Sequence, residues 1–180
     1  MAFDFSDFDA HVASAKVEIF RFEWLRLYGV ASDLEEFKRW QQGEPTAADD
    51  PDNDYYVRLR KKRSQGVKQV RVRIADFPVH DYLRYEIAFY RGSIEHGEEI
   101  FMLERALAVQ CMQTTVVAGD YWLFDRERAL LFNYDEGGEL VGQQWVEPAD
   151  VPKYVALRDV LEREAMPLES FIERYPESFG

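Results

Sequence analysis

Residues 67–75, Val-Lys-Gln-Val-Arg-Val-Arg-Ile-Ala, keep a strict period of two. Successive side chains of a β-strand point to opposite faces, so Val70, Val72 and Ile74 fall on one side and Gln69, Arg71 and Arg73 on the other. The segment is therefore a strand with one apolar and one cationic face. The strand rise sets Arg71 and Arg73 about 7 Å apart. Guanidinium forks at that spacing can grip two anionic groups, phosphate or carboxylate.

These two arginines end a wider sorting of charge. Arg58, Arg60, Lys61, Lys62, Arg63, Lys68, Arg71 and Arg73 fall within 16 residues that hold no acid, in a chain of formal net charge -12. The rest of the chain then carries 14 bases against 34 acids. Arg58, Arg60, Lys61, Lys62 and Arg63 form a secondary basic patch on one helix. Three readings stay open: a solvated helix face with arginines paired to the chain's own acids, such as Glu86 or Asp81; a phosphate-binding patch; or a protein-partner site. Overall acidity disfavours bulk binding to nucleic acid. It supports solubility, or docking on a basic partner through complementary fields.

A length of 180 residues with 47% hydrophobic and 15% aromatic content implies a buried core in one α+β domain, residues 1–180. No apolar run approaches a membrane span. Met1 to Ala15 has acids and no early base, unlike a secretory signal. One cysteine, Cys111, precludes an internal disulfide and fits a reducing cytoplasm.

Phe5, Phe8 and Val12 predict a helix over 3–15, ahead of a core over about 17–167. Val17 to Tyr28 reads as a strand rich in aromatic and β-branched residues. Ser32 and Glu35 have capping-box spacing, starting a helix that stops near Gly43. A second helix begins near Asp52, with Gly66 as its C-terminal glycine. Pro78 precedes a helix to about Tyr90, and Glu99 to Leu103 reads as a strand. Residues 107–117 are ambiguous between helix and strand. Tyr121–Asp125, Ala129–Tyr134 and Glu139–Val146 predict a three-stranded meander, with Gly137 and Gly138 at positive φ in its second turn. Helices follow from Pro148 to about Glu164 and, as a short C-terminal piece, over 168–175. The expected fold is a mostly antiparallel sheet of five to six strands with packed helices.

Signatures of chemistry are sparse. His80, Asp81 and Arg84 share a helix face, and a His beside an acid could act as a general base; the alternative is a first helical turn with Asp81 favoured by the dipole and Tyr82 and Tyr85 at the sheet edge. His11, His80 and His96 are far apart and Cys111 stands alone, so no metal or other cofactor is expected. The acidic run 49–54 lacks the glycine and closing glutamate of a calcium loop. The common nucleotide-binding and hydrolase motifs are absent. Trp122, Phe124, Phe132 and Trp145 could stack bases only if exposed.

The chain resembles an actinobacterial family of uncharacterised proteins, a domain of unknown function. The resemblance rests on Phe37 with Gly43-Glu44-Pro45, on the central stretch from Gly66 to Arg73 with Pro78, Asp81-Tyr82 and Arg84-Tyr85-Glu86, on the tryptophan strand Asp120–Asp125, and on Tyr134-Asp135 with the later glycines and Arg158-Asp159. It implies a cytoplasmic accessory or regulatory protein, since members are commonly encoded beside helix-turn-helix regulators. No catalytic residue comes with it. The leading expectation is a non-enzymatic partner of a basic DNA-binding regulator. The competing ones are a nucleic-acid or nucleotide binder using Arg58 to Arg73, and an enzyme on an anionic small molecule with an arginine clamp. The residues chosen for an anion or partner site are Arg71, Arg73, Arg84, Glu86, Tyr82 and Tyr85.

Overall fold

The computed structural model describes residues 5–115, 117 and 119–179. Phe3, at the start of the first expected helix, and Val116, in the ambiguous segment, lie outside them. Among the described residues the strands are β1 (Glu18–Glu23), β2 (Lys68–Ala75), β3 (Glu99–Glu104), β4 (Asp120–Phe124), β5 (Arg128–Tyr134), β6 (Leu140–Trp145) and β7 (Met166–Pro167). The helices are α1 (Ser6–Ser14), α2 (Ala31–Gln41), α3 (Asp54–Ser64), α4 (Asp81–His96), α5 (Arg105–Thr115), α6 (Val151–Glu164), α7 (Leu168–Arg174) and α8 (Pro176–Phe179).

The sheet is mixed and has seven strands, in the order β6-β5-β4-β1-β2-β3-β7. This corrects the expectation of a mostly antiparallel sheet of five to six strands. β1, β2 and β3 run parallel to one another. The reason lies in their connections: each is a helical crossover, which a parallel pair requires and a hairpin does not. The seventh strand is a two-residue bridge to β3, too short to show a period. The meander of β4, β5 and β6 is antiparallel. Its first turn holds Asp125 and Arg126 at φ 52 and 62, and in its second only Gly138, not Gly137, takes a positive φ, of 80.

Both faces of the sheet are covered. On one, Phe20, Phe22, Val70, Val72, Ile74 and Leu123 pack on the apolar stripes of α5 and α6. The ambiguous segment is thus helical through Thr115, and its Ala108, Cys111 and Met112 serve this core. On the other face α1 lays Phe8 and Val12 over Trp122, Phe124 and Leu130, while α4 and α7 bury Leu83, Ile87, Leu168 and Phe171 beside Met102. The tryptophan strand is core rather than an exposed stacking platform.

The parts that frame the central charged face start at side-chain caps. Asn53 accepts from the amide of Tyr56 at 2.9 Å and opens α3. His80 accepts from the amide of Leu83 at 3.3 Å and opens α4. Burial, with Arg26 and Arg73 nearby, pulls His80 down to about 4, so its ring is neutral and free to accept. The expected capping box at Ser32 is not formed: α2 begins two residues earlier, with Val30 as an uncapped N-cap. The box occurs instead at Thr46 and Asp49. Gly92 lets α3 and α4 approach, since a Cβ there would lie 2.1 Å from the Tyr56 hydroxyl.

Candidate functional site

The cationic face of β2 is not a surface. Arg71 is 3% exposed and Arg73 0%. β1 lies parallel beside β2 in the register Arg21↔Arg71 and Glu23↔Arg73, and its own alternation sends Arg21 and Glu23 to the same side. α4 covers that side with Glu86 and Tyr90, and Glu98 enters from the turn before β3.

The groups form one connected network. Glu23 takes Arg71 Nη1 at 2.9 Å and Arg21 Nη2 at 2.7 Å on one oxygen, and the Tyr90 hydroxyl at 2.7 Å on the other. Arg71 Nε donates to Glu98 at 3.0 Å, and its remaining nitrogen donates to the Tyr55 hydroxyl. Arg73 donates to one oxygen of Glu86 from Nε at 3.0 Å and from Nη2 at 2.7 Å, and to the carbonyl of Leu25 from Nη1. Tyr90 and Tyr28 face the Arg71 and Arg73 guanidinium groups at 4.9 and 5.3 Å from their ring centres. Tyr28 in turn donates to Asp120.

Three arginines and three glutamates balance in charge, but the glutamates differ. Burial would raise Glu23, yet Arg21, Arg71 and Arg73 together draw it down to about 2. Burial raises Glu86 to about 7, because Glu23 adds to the cost and Arg73 only partly offsets it. The Tyr90 hydroxyl has one hydrogen for two carboxylates, and Glu86 is the farther, at 3.2 Å. Burial also lifts Asp120, to about 6.

Above this floor lies a cavity of about 410 Å³. Arg21, Glu23 and Arg71 form its base; α2 contributes Asp33 and Glu36; the start of α3 contributes Asp54 and Tyr55; α4 contributes Tyr85, Glu86, Phe89 and Tyr90. Tyr28 closes one side. Its loop is fastened to the meander by the amide of Gly29, which donates to Gly138 at 2.8 Å. A Cβ on Gly29 would sit 2.5 Å from the carbonyl of Gly137.

The structure brings together Arg71, Arg73, Glu86 and Tyr85 of the residues picked from sequence. Tyr82 is buried next to them and donates to Asp33 at 3.2 Å. Arg84 turns away: it pairs with Asp81 at 2.9 Å and donates to the carbonyl of Ser178 at 2.7 Å. Two residues along a helix is a rotation of about 200°, so Arg84 and Glu86 cannot share a face. The secondary basic patch is dispersed. Arg58 lies over the Tyr55 ring at 4.8 Å, and Arg60 pairs with Asp52 at 2.9 Å. Lys61 and Arg63 are exposed. Lys62 is 3% exposed and donates to the carbonyls of Ala13 and Ala15 at 2.7 and 3.0 Å. His80, expected as a possible base, is a helix cap.

Sequence reasoning missed Arg21, Glu23, Tyr28, Asp33, Tyr55, Tyr90 and Glu98. For Arg21 and Glu23 the signal was present, since they alternate with Phe20 and Phe22 just as Arg71 and Arg73 alternate with Val70 and Val72.

Residues 6–173 match the model of DUF6879, a domain of unknown function. The chain belongs to this family. The match includes every residue of the cavity and its ionic floor, so the site lies within the DUF6879 domain itself. No curated protein matches the chain. No helix among the described residues is long and apolar enough to cross a membrane.

Proposed function

We propose that this DUF6879 protein is a non-enzymatic, cytoplasmic accessory protein that binds a small polar molecule in the cavity between the charged sheet face and α2, α3 and α4. The observation that carries the reading is the cavity itself. At about 410 Å³ it falls in the range of small-molecule sites, roughly 300–1,000 Å³. Its floor is a fixed ionic network and its walls are aromatic. The guanidinium donors of Arg71 and Arg73 are already taken by Glu23, Glu86, Glu98, Tyr55 and a backbone carbonyl. This argues against a clamp for an incoming anion, and so against the enzyme reading built on one.

The test is a thermal-shift screen with anionic, cationic and neutral small molecules. Saturating a site at 100 times Kd adds about 2.7 kcal/mol, which for a domain of this size raises Tm by roughly 5–11 °C. Ser32→Trp, at the exposed mouth, should abolish the shift without touching the network. No shift from any class of probe would contradict the proposal.

A second reading concerns partners. The buried charges are Glu18, Glu23, Glu86, Glu98 and Asp120 against Lys62, Arg71, Arg73 and Arg158. They nearly cancel, which leaves the acid surplus on the outside. That favours docking on a basic protein, such as a helix-turn-helix regulator, over direct binding to nucleic acid. Pull-down of such a regulator at low and moderate salt tests this. A salt-sensitive complex is expected, and retention of duplex DNA by the isolated protein would contradict it.

A further inference from the structure

We infer that the cavity takes a small organic cation, an ammonium or guanidinium group on a compact body. This rests on the reading of the cavity as a ligand site and names the class of its ligand. Five carboxylates line the cavity, Glu23, Asp33, Glu36, Asp54 and Glu86, against two guanidinium groups, Arg21 and Arg71. Both guanidinium groups are engaged with Glu23, and Arg71 also with Glu98. Arg73, beneath the floor, is engaged with Glu86. The negative charge left over is at the wall and mouth. Asp33 is half-buried and, among the described residues, accepts the Tyr82 hydroxyl alone, at 3.2 Å. Glu36 accepts the amide of Ala47 at 2.7 Å and the exposed Arg39 at 3.2 Å.

A second observation is independent of the acids. Tyr85 lines the cavity and is 8% exposed. Among the described residues its hydroxyl meets no hydrogen-bond partner, unlike the hydroxyls of Tyr28, Tyr55, Tyr82 and Tyr90, which each donate to a carboxylate. The ring is buried while the hydroxyl oxygen stays accessible, since among the described residues Gln143 Nε2 is the one buried side-chain polar atom without a partner. An N–H of a cation could donate to the Tyr85 oxygen and to Asp33, with its body against the aromatic walls. Aromatic faces attract cations and repel anions. A phosphate or carboxylate would meet guanidinium groups whose charge Glu23 and Glu98 already neutralise, and would face Asp33 and Glu36.

The experiment is calorimetric titration of the full chain with agmatine and ethanolamine, with phosphate and succinate, and with glucose. Agmatine or ethanolamine should bind, and phosphate and succinate should not. Asp33→Asn and, separately, Glu36→Gln should each weaken cation binding about tenfold or more, the effect of losing a charge-assisted hydrogen bond of about 1.5–3 kcal/mol. Ser32→Trp should abolish it. Two variants guard against one that fails to fold, and an unchanged Tm certifies each. Binding of phosphate, succinate or glucose in place of the cations, lost in Ser32→Trp, would overturn the cation assignment and leave the cavity as a ligand site. Binding by none of the probes would overturn both. Cation binding that survives all three variants would place it on the acidic exterior and overturn the inference.

Discussion

The two faces of β2 are equally dry and differently made. Val72 and Arg73 are neighbours on the strand, and both are 0% exposed. Val70, Val72 and Ile74 are buried among aliphatic and aromatic side chains of α5 and α6, where removal from water is favourable by about 25 cal/mol per Å². Arg71 and Arg73 are buried at a desolvation cost that Glu23, Glu86 and Glu98 must offset. Stability explains the first face and is a weak reason for the second, since apolar residues of similar volume usually serve as well. The ionic face borders the cavity of about 410 Å³, through Arg71. The difference points to a site as the reason charge is kept inside.

Breaking the comparison on its ionic side should give the largest effect. Arg73→Met leaves Glu86 buried without its partner, and chemical denaturation should show a loss of about 3–5 kcal/mol. On the apolar side, Ile74→Ala should lose about 2–5 kcal/mol through the cavity it leaves, with probe binding unchanged. A loss of probe binding there would mean that the two faces are not separable.

A pH series sharpens the contrast without breaking the network. Glu86 is faced by Arg73, Glu23, Asp33, Tyr82 and Tyr90. Its folded value, about 7, lies above its ordinary value of 4.5, so the folded state holds the proton more tightly. That contribution is fully present below pH 4.5 and is lost as pH rises through 7. Measured against Glu86→Gln, the native protein should therefore lose relative stability from pH 4.5 to 7.5. Glu23 has the opposite sign: drawn down to about 2, it contributes above pH 4.5 and fades as pH falls toward 2. The smallest effect belongs to the outer surface. Arg91 and Glu169 pair at 2.9 Å with both side chains 55% exposed, so Arg91→Ala should change stability by about 0–1 kcal/mol.

The contrast was half legible in the chain. The period of 67–75 gives the strand and puts Arg71 and Arg73 on one face. Burial of that face depends on Glu23 and Glu98, 48 and 27 residues from Arg71, and on Glu86, 13 residues from Arg73. No local pattern joins them. The parallel centre was legible in principle, because strand–helix–strand order from 18 to 104 demands crossovers, but the hairpin signals of the C-terminal meander weighed more. Glu86 and Arg84 looked like one motif because they are adjacent in sequence, and the helical twist separates them. The cavity itself has no sequence signal. It arises where α2, whose residues are none of them fully buried, crosses α4 above the network.

The most direct test replaces the pair rather than one partner. Arg73→Met with Glu86→Leu removes the charge and keeps the volume, and urea unfolding measures the outcome. If the ionic floor serves a site, the double variant should match or exceed the native stability, within about 1 kcal/mol on the lower side, while cation binding is lost. A double variant that loses as much as Arg73→Met alone, or that binds the probe as the native protein does, would contradict that account.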